Sequence, residues 1–341
     1  MPTTLRDVGK LVGVSAMTVS RVVNGHGGVD AETQKRVEDA IRTLDYVPNR
    51  IARGLLSHKT ATIGLIIPDV ANPYFAPVVR GVESAARKAG YRVLLCNSEG
   101  DLRLEREYID DLVSHRVEGL VLAAASDRSR SNILAILRGS FPLVLIDRAL
   151  PDVECDVIVS DNVGGAKRLV EHLISVGHRT IAHITDAEDT STGRERFQGY
   201  REALAANGIE FRSELVVRTT VDRIGGFRAA QEILGRHPSP TVMFAVNNMT
   251  AVGAMQALRE RGLSVPEHMG LVCFDDVEHL AILSPFLTVV DQPSETLGSL
   301  GAQLLLERMS GKASERPRRI ILQTNLIVRK SCCTEFGVPL R

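Results

Sequence analysis

The spacing of apolar residues in the first 46 positions predicts three short helices. On the first helix, over residues 5–12, apolar side chains recur every three or four positions as Leu5, Val8, Leu11 and Val12. Gly13 ends this helix, and Ser15 stands where the N-cap of the next helix belongs. The second and third helices have apolar faces of their own, formed by Val19, Val22 and Val23 and by Val37, Ala40, Ile41 and Leu44. Two helices joined by a short glycine-containing turn, with a third behind them, predict a helix-turn-helix domain over residues 1–46.

Residues 61–341 show a different pattern, in which short β-branched runs alternate with helical stretches. The predicted strands span residues 62–67, 91–96, 119–122, 143–146, 156–159, 180–184, 215–218, 241–245 and 270–274. The helices predicted between them span residues 74–89, 103–115, 163–176, 194–206, 226–234 and 248–261. A further strand, helix and strand are predicted over residues 288–290, 296–309 and 320–328. Such alternation is typical of parallel sheets covered by helices on both faces, and two successive series of strands predict two sheets.

Composition places the chain among soluble globular proteins of about two domains. Apolar residues make up 44% and charged residues 24% of its 341 residues, which argues against disorder and fibrous repeats. No apolar run reaches the roughly 18 residues of a membrane helix, and the opening MPTTLRDVGK lacks the apolar core of a signal peptide. We therefore expect a cytoplasmic protein without a membrane partner. The cysteines suit a reducing compartment, because they are odd in number and lack metal-ligand spacing: Cys96, Cys155, Cys273, Cys332 and Cys333.

The second helix of the head carries the side chains that could read DNA. Its valines face the core, which leaves five residues for the outer face: Ala16, Met17, Thr18, Ser20 and Arg21. Arg21 suits a guanine or a phosphate, the two hydroxyls suit phosphate oxygens, and Ala16 and Met17 suit apolar contact with a thymine methyl. Residues 1–59 hold nine Lys and Arg against six Asp and Glu, which allows a nucleic-acid partner but is also an ordinary chance excess. A three-helix domain whose polar face only meets water is the alternative.

Two blocks of sequence resemble the opening of LacI/GalR-family transcriptional regulators. Residues 4–25 read TLRDVGKLVGVSAMTVSRVVNG, and residues 46–55 read YVPNRIARGL at the expected distance. Gly9 and Val12 replace alanines of the family pattern, and we expect them to change packing more than DNA reading. The resemblance implies a small all-α helix-turn-helix domain followed by a two-lobed α/β domain like the type I periplasmic binding proteins, with each lobe discontinuous in sequence. It also implies a set of DNA-binding residues: Thr4, Ser15, Ala16, Met17, Thr18, Ser20, Arg21, Asn24, Asn49, Ala52 and Leu55.

In this family a hinge segment follows the third helix and becomes helical only on operator DNA; by resemblance it covers residues 47–60. Pro48 suits the start of a helix, but nine residues from Pro48 to Leu56 are too few for a stable helix in water. Gly54 costs about 1 kcal/mol more relative to alanine, so folding on binding is physically sensible. The family's A-R-x-L matches residues 52–55, which makes Leu55 the apolar wedge that kinks a base step in the minor groove. An exposed interdomain linker is the alternative.

Polar and aromatic residues follow several predicted strands, at the edge where parallel sheets bind ligands. Aromatic faces and planar Asp, Asn and Arg groups suit a polyhydroxylated ring, although each residue taken singly could also be a loop cap or a salt-bridge partner. The segments NPYF, IDR, GRERFQGY, VNN, FDD and DQP resemble effector-binding motifs of the family. They imply nine effector-binding residues: Asn72, Tyr74, Phe75, Asp147, Arg148, Arg196, Asn247, Asp275 and Gln292. Asn248 departs from the family's aspartate, and Val221 stands where several relatives have an aromatic residue.

Signatures of other chemistry are missing from the sequence. It contains no G-x-G-x-x-G, G-x-x-x-x-G-K-[ST], H-E-x-x-H or G-x-S-x-G motif, so we expect no catalytic residue, metal or cofactor. The expected function is that of a transcriptional repressor, which binds a near-palindromic operator in double-stranded DNA as a homodimer. Its effector would be a sugar, a sugar acid or a sugar phosphate. The alternatives are a transport receptor, which would need an export signal, and a sugar-processing enzyme, which would need a nucleophile, a metal cluster or a phosphate loop.

Overall fold

The computed structural model of the chain describes residues 3–23, 27–46, 60–186, 189–237, 239–276 and 287–332. The chain forms two compact units, Met1–Thr60 and Ala61–Arg341, which we call the head and the body. No helix among these residues is long and apolar enough to cross a membrane.

The head contains the three predicted helices. They are α1 (Leu5–Val12), α2 (Ala16–Val23) and α3 (Ala31–Thr43). Thr4 and Asp7 cap α1 reciprocally, and Gly13 ends it with a positive φ of 77°. The head core is small and built from the predicted apolar faces together with one tyrosine: Val8, Val12, Val19, Val37, Ala40 and Tyr46.

Close packing around Gly9 explains why this position departs from the alanine of the resembled family pattern. A β-carbon at this position would lie 2.7 Å from the carbonyl oxygen of Val14, so the turn between α1 and α2 approaches the first helix closely. Gly9 is buried against this turn, which is the packing effect expected at this position.

The body alternates strands and helices as predicted. Its strands are β1 (Thr62–Ile67), β2 (Arg92–Asn97), β3 (Leu120–Leu122), β4 (Leu143–Ile146), β5 (Asp156–Ser160), β6 (Ile181–Asp186), β7 (Val216–Thr219), β8 (Val242–Ala245), β9 (Gly270–Phe274), β10 (Thr288–Asp291), β11 (Arg319–Leu322) and β12 (Asn325–Ile327). Its helices are α4 (Phe75–Lys88), α5 (Leu102–Ser114), α6 (Arg130–Leu137), α7 (Asn162–Ser175), α8 (Ser191–Ala206), α9 (Arg223–Leu234), α10 (Asn248–Glu260) and α11 (Ser294–Met309). Helix α6 and the short 3₁₀ turn before it have no counterpart in the prediction.

The strands form two six-stranded sheets, which define two lobes of the body. The first sheet has the order β11-β5-β4-β3-β1-β2 and is parallel throughout. The second has the order β12-β10-β9-β8-β6-β7, and only the β10–β12 pair is antiparallel. Within the described residues the chain passes between the lobes after β5, after β10 and after β11, so each lobe is discontinuous in sequence, as the resemblance implied.

The single strand predicted over residues 320–328 is wrong. Strand β11 pairs with β5 in the first lobe, whereas β12 pairs with β10 in the second, so the chain changes lobes between Leu322 and Asn325. The two residues of this crossing are Gln323 and Thr324, and neither glycine nor proline marks the break. The apolar pattern therefore continues across a point where the chain leaves one sheet and enters the other.

A buried carboxylate binds helix α11 and the start of β11 to strand β5 in the first lobe. Asp156, at the start of β5, is fully buried and accepts hydrogen bonds of 2.9 Å from both Nε and Nη2 of Arg308 on α11. The backbone nitrogen of Arg318 donates to the same carboxylate at 2.7 Å, and its side chain pairs with it at 3.1 Å. Burial opposes ionisation, but these hydrogen bonds outweigh it and lower the pKa of Asp156 to about 2.

We expect Asp156→Ala to lower the free energy of unfolding at pH 7 by about 3 kcal/mol, because both arginines lose a buried partner. Since the folded-state pKa of Asp156 lies below its ordinary value of 3.8, the stabilisation is complete above that value and disappears as the pH falls towards about 2. Urea unfolding followed by circular dichroism at pH 7 and pH 3 measures both effects. Equal stability of wild type and variant at pH 7 would contradict this role.

Candidate functional sites

The outer face of α2 is accessible to solvent at the positions predicted to meet DNA. Arg21 is exposed and Met17 keeps 72% of its surface exposed, while Val19 of the same helix is fully buried. Ser15 also caps the start of α2, because its hydroxyl accepts a hydrogen bond from the Thr18 backbone nitrogen at 3.1 Å. A phosphate at the start of α2 would therefore meet a helix N-terminus that is already capped.

The remaining predicted DNA-binding residues divide into two groups. Ala16 and Ser20 are half-buried on α2, and Thr4 is exposed but serves as the N-cap of α1. The others lie outside the described residues: Asn24, Asn49, Ala52 and Leu55.

All nine predicted effector-binding residues line one cleft between the two lobes of the body. Five come from the first lobe: Asn72, Tyr74, Phe75, Asp147 and Arg148. Four come from the second: Arg196, Asn247, Asp275 and Gln292. They follow carboxyl ends of strands or begin the helices after them, which is where ligands bind parallel α/β sheets. The cleft encloses about 40 Å³, enough for a few water molecules but not for a sugar ring.

Two aspartates occupy matching positions in the two lobes. Asp147 directly follows β4 and Asp275 directly follows β9, with positive φ angles of 67° and 69°. The backbone nitrogen of each donates at 2.9 Å to a carbonyl of the neighbouring strand, Ile158 and Val290 respectively. Asparagine and aspartate tolerate this left-handed conformation better than other non-glycine residues. The conformation turns both chains sharply at the sheet edge and holds both carboxylates at the cleft.

Arg196 is held in the cleft by contacts on several sides. Its guanidinium lies 3.9 Å above the ring centre of Phe274. Its Nε donates to Asn162 Oδ1 at 2.9 Å, and its Nη1 donates to the Val246 carbonyl at 2.7 Å and lies 3.7 Å from Asp275 Oδ2. These partners hold the arginine plane rigidly, so a ligand meets a positioned donor group rather than a flexible cation.

Burial makes Asp275 and Tyr74 of the cleft costly to ionise. It raises the pKa of Asp275 to about 6, although the neighbouring Arg196 and a hydrogen bond from Gln292 Nε2 act in the opposite direction. Burial, together with the charge of Asp147, also raises the pKa of Tyr74 well above its usual range, so its hydroxyl stays protonated. That hydroxyl donates to Asp147 Oδ1 at 2.9 Å.

The charges of the cleft do not favour an anion. Arg148 already donates from Nη1 to the carbonyls of Ala124 and Ala125, both at 2.7 Å. The second guanidinium, that of Arg196, faces Asp275. The cleft lining contains three carboxylates and two guanidiniums: Asp147, Asp186, Asp275, Arg148 and Arg196. A ligand that brings a carboxylate or a phosphate would therefore add negative charge to a site with an excess of acidic groups.

Asn247 combines the two roles that the sequence left open. Its Oδ1 caps α10 by accepting from the Thr250 backbone nitrogen at 2.9 Å, which confirms the capping alternative for this residue. The side chain nevertheless lines the cleft, so its amide nitrogen is the group that a ligand would meet.

The cleft also contains residues that the prediction missed. They are Asp186, Thr190 and Val246. Thr192 of α8 lines the cleft as well, as does Val221, the residue noted in the sequence where several relatives have an aromatic. Asp186 was not predicted as a cleft residue because β6 runs two residues beyond the predicted end of that strand. Thr190 was not predicted as a cleft residue because α8 begins at Ser191, earlier than predicted, and Thr190 is its N-cap. Correct element ends would have placed both residues at the sheet edge.

In the part of the chain that the structure describes, no group of three or more His, Cys, Asp or Glu side chains could hold a metal ion. Two histidines have structural partners instead. His178 bonds the Thr241 hydroxyl and the Cys332 carbonyl, both at 2.7 Å, and His172 lies 3.6 Å from the Cys332 sulfur.

Comparison with known proteins identifies both units. A family model for bacterial regulatory proteins of the lacI family matches residues 4–49. A model for periplasmic binding proteins and the sugar-binding domain of the LacI family matches residues 60–330.

Whole-chain relatives are transcriptional repressors. The chain is 34% identical over 330 residues to the HTH-type transcriptional repressor PurR of Aliivibrio fischeri (strain MJ11), covering 96% of this chain and 98% of the relative. It is 34% identical over 315 residues to the ribose operon repressor of Escherichia coli (strain K12), covering 92% and 96%. These relatives support a regulator and not the transport receptor or the enzyme that the sequence left as alternatives.

Solved structures agree with this assignment. A complex of the transcriptional regulator CelR with cellobiose is 34% identical, with a TM-score of 0.73 and coverage of 96% of this chain and 99% of that one. The lac repressor dimer bound to operator and the anti-inducer ONPF is 28% identical, with a TM-score of 0.85 and coverage of 97% and 99%. The chain therefore belongs to the LacI family of bacterial regulatory proteins.

Proposed function

We propose that this protein is a cytoplasmic transcriptional repressor that binds a near-palindromic operator as a homodimer and responds to a neutral sugar in the cleft. Residues 1–46 form the DNA-binding domain, residues 47–60 the hinge and residues 61–341 the effector-binding and dimerisation domain. The observation that carries the proposal is that nine residues chosen from the sequence line one polar cleft in a chain that begins with a helix-turn-helix.

The head is proposed to read DNA through α2. Arg21 donates to a guanine edge or a phosphate, while Met17 and Ala16 make apolar contact with the groove. The hydroxyls of Thr4, Ser15, Thr18 and Ser20 contact the backbone and fix the register. Asn24, Asn49, Ala52 and Leu55 complete the interface by resemblance. Two heads related by a two-fold axis bind two half-sites, which makes the operator near-palindromic.

The effector is proposed to be a neutral polyhydroxylated ring rather than a sugar acid or a sugar phosphate. Carboxylates are good acceptors for sugar hydroxyls, and three of them line the cleft. Tyr74 and Phe75 supply an aromatic wall, with ring centres 5.0 Å apart, while Val221 on the opposite lobe supplies only a small apolar surface. The lobes must separate to admit the ring, because the present cavity of about 40 Å³ is far too small for it.

Selection of bound duplexes from a random pool tests the DNA-binding half of this proposal. The full chain is used at physiological salt, with Arg21→Ala as the control variant, and the selection is repeated with a pool of neutral sugars. A near-palindromic motif recovered by the wild type and depleted in the control supports the proposal. No enriched motif under either condition would contradict it.

A further inference from the structure

A direct hydrogen bond joins the two lobes across the cleft. Asn248 Nδ2, at the start of α10 in the second lobe, donates to Asn72 Oδ1, after β1 in the first lobe, at 3.1 Å. Both side chains are buried, with 1% exposure for Asn248 and 8% for Asn72. Since a buried hydrogen bond is shielded from competing water, this contact favours the closed arrangement of the lobes.

The direction of this bond is fixed by a second contact. Asn72 Oδ1 also accepts from the backbone nitrogen of Tyr74 at 3.0 Å, so the oxygen of the Asn72 amide must face this side. Asn248 must then present its NH₂ group, because its oxygen in the same place would meet another oxygen. The bond therefore requires a donor at position 248.

An aspartate at position 248, which the family pattern has, could not make this bond while ionised. A carboxylate has no proton to donate, and its charge would lie against the Asn72 oxygen. Asparagine and aspartate both suit a helix start, so the start of α10 alone does not distinguish them. The structure shows a consequence, because the amide bridges the lobes where a carboxylate would repel.

We propose that Asn248 is a positioning residue that holds the cleft closed without a bound sugar, so that an effector must compete with the Asn72–Asn248 bond. Asn72 is itself one of the proposed effector-binding residues, and this inference rests on the proposed function for its regulatory meaning. A sugar hydroxyl that bonds Asn72 replaces the contact from Asn248. Asn248 Oδ1 has no hydrogen-bond partner among the described residues. This unsatisfied oxygen raises the free energy of the closed state, so an effector can open the cleft.

Other contacts between the lobes do not depend on position 248. On the side of α8, the Ala149 backbone nitrogen donates to the Ser191 hydroxyl at 3.0 Å. The Asp127 backbone nitrogen donates to the Asp189 carbonyl at 2.8 Å. A change at Asn248 therefore shifts the balance between open and closed lobes without removing every contact between them.

Interlobe distances measured in the full chain without sugar or DNA test the proposal. Nitroxide labels on non-canonical residues introduced at the exposed positions Arg130 and Arg223 report one lobe each, and pulsed electron paramagnetic resonance at pH 8 gives their separation. The wild type is expected to show mainly the short distance. Asn248→Asp should raise the ratio of open to closed molecules about tenfold or more, and Asn248→Leu, which removes the donor without adding charge, should raise it about threefold.

The matched control is a double-mutant cycle with Asn72→Ala. In that background Asn248→Leu should leave the distance distribution unchanged, because the acceptor is already missing. Equal distributions for wild type and both Asn248 variants would overturn the proposal, as would an undiminished effect of Asn248→Leu in the Asn72→Ala background. Because neither DNA nor sugar enters the measurement, this result is independent of whether the proposed function holds.

Discussion

Asp275→Asn is expected to remove sugar binding while making the folded protein more stable at neutral pH. Asp275 is buried after β9 and contacts Arg196 and Gln292 in the cleft. A carboxylate that accepts hydroxyl hydrogen bonds contributes about 1.5–3 kcal/mol for each bond. We therefore expect the variant to bind the effector at least about 100-fold more weakly than the wild type, because the asparagine also turns one acceptor into a donor.

The stability effect follows from the raised pKa. The folded-state pKa of Asp275 is about 6 and its ordinary value is 3.8, so between these values the folded state binds more protons than the unfolded state. Stability therefore falls as the pH rises through this window, and the full cost of ionisation, at most about 3 kcal/mol, is present at pH 7. Asparagine carries no charge, so the variant should gain about 1–3 kcal/mol at pH 7 and lose this part of the pH dependence.

Asp276 provides the matched control. It is the next residue, but its carboxylate pairs with Arg329 and does not line the cleft. Asp276→Asn should lower stability slightly and leave sugar affinity unchanged, the opposite of the result for Asp275→Asn. Urea unfolding at pH 5 and pH 7 and calorimetric titration with neutral sugars measure these quantities. A less stable Asp275→Asn protein with normal sugar affinity would contradict the account of the cleft.

Leu55→Ala is expected to weaken specific operator binding about 100-fold while leaving the sugar affinity of the free protein unchanged. Residue 55 lies outside the described residues, so the prediction rests on the match of residues 52–55 to the family's A-R-x-L. An apolar wedge between base steps opens the minor groove and bends the duplex, which allows more of the protein to contact DNA. Alanine is too short to hold the step open.

The adjacent Leu56→Ala serves as the control for loss of apolar surface in the same segment. Fluorescence anisotropy with the selected duplex and with a scrambled duplex separates specific from general binding. Only the specific affinity should fall in Leu55→Ala, since the phosphate contacts of the head are retained. Equal operator affinities for wild type and Leu55→Ala would show that Leu55 does not act as a minor-groove wedge.

Local signals predicted the elements of the fold well. Continuous apolar runs gave β1, β4 and β9 their exact bounds, because both faces of these strands are covered and nearly every residue is buried. The lobe change between Leu322 and Asn325 could not be predicted, because it depends on which sheet edge is open to β11 and to β12. The family resemblance, and not the apolar pattern, indicated that the lobes are discontinuous.

The cleft residues were predictable as a set, because strand ends at one sheet edge meet in space. Their individual roles were not. Nothing local distinguishes Asn247, whose oxygen caps a helix, from Asn248, whose amide reaches Asn72 across the cleft, 176 positions away in the chain. The left-handed backbone of Asp147 and Asp275 was also hidden, because it is imposed by pairing with the strands next to them.

Operator binding during a sugar titration tests whether the cleft controls DNA binding by the head. The selected duplex is bound by the wild type and by Asp275→Asn, and each neutral sugar of the pool is added to saturation. We expect one sugar to change the operator affinity of the wild type at least about tenfold, with the reciprocal change in sugar affinity on DNA. Asp275→Asn should bind the operator normally and fail to respond. A response of the same size in Asp275→Asn, or none in the wild type with any neutral sugar, would contradict the account.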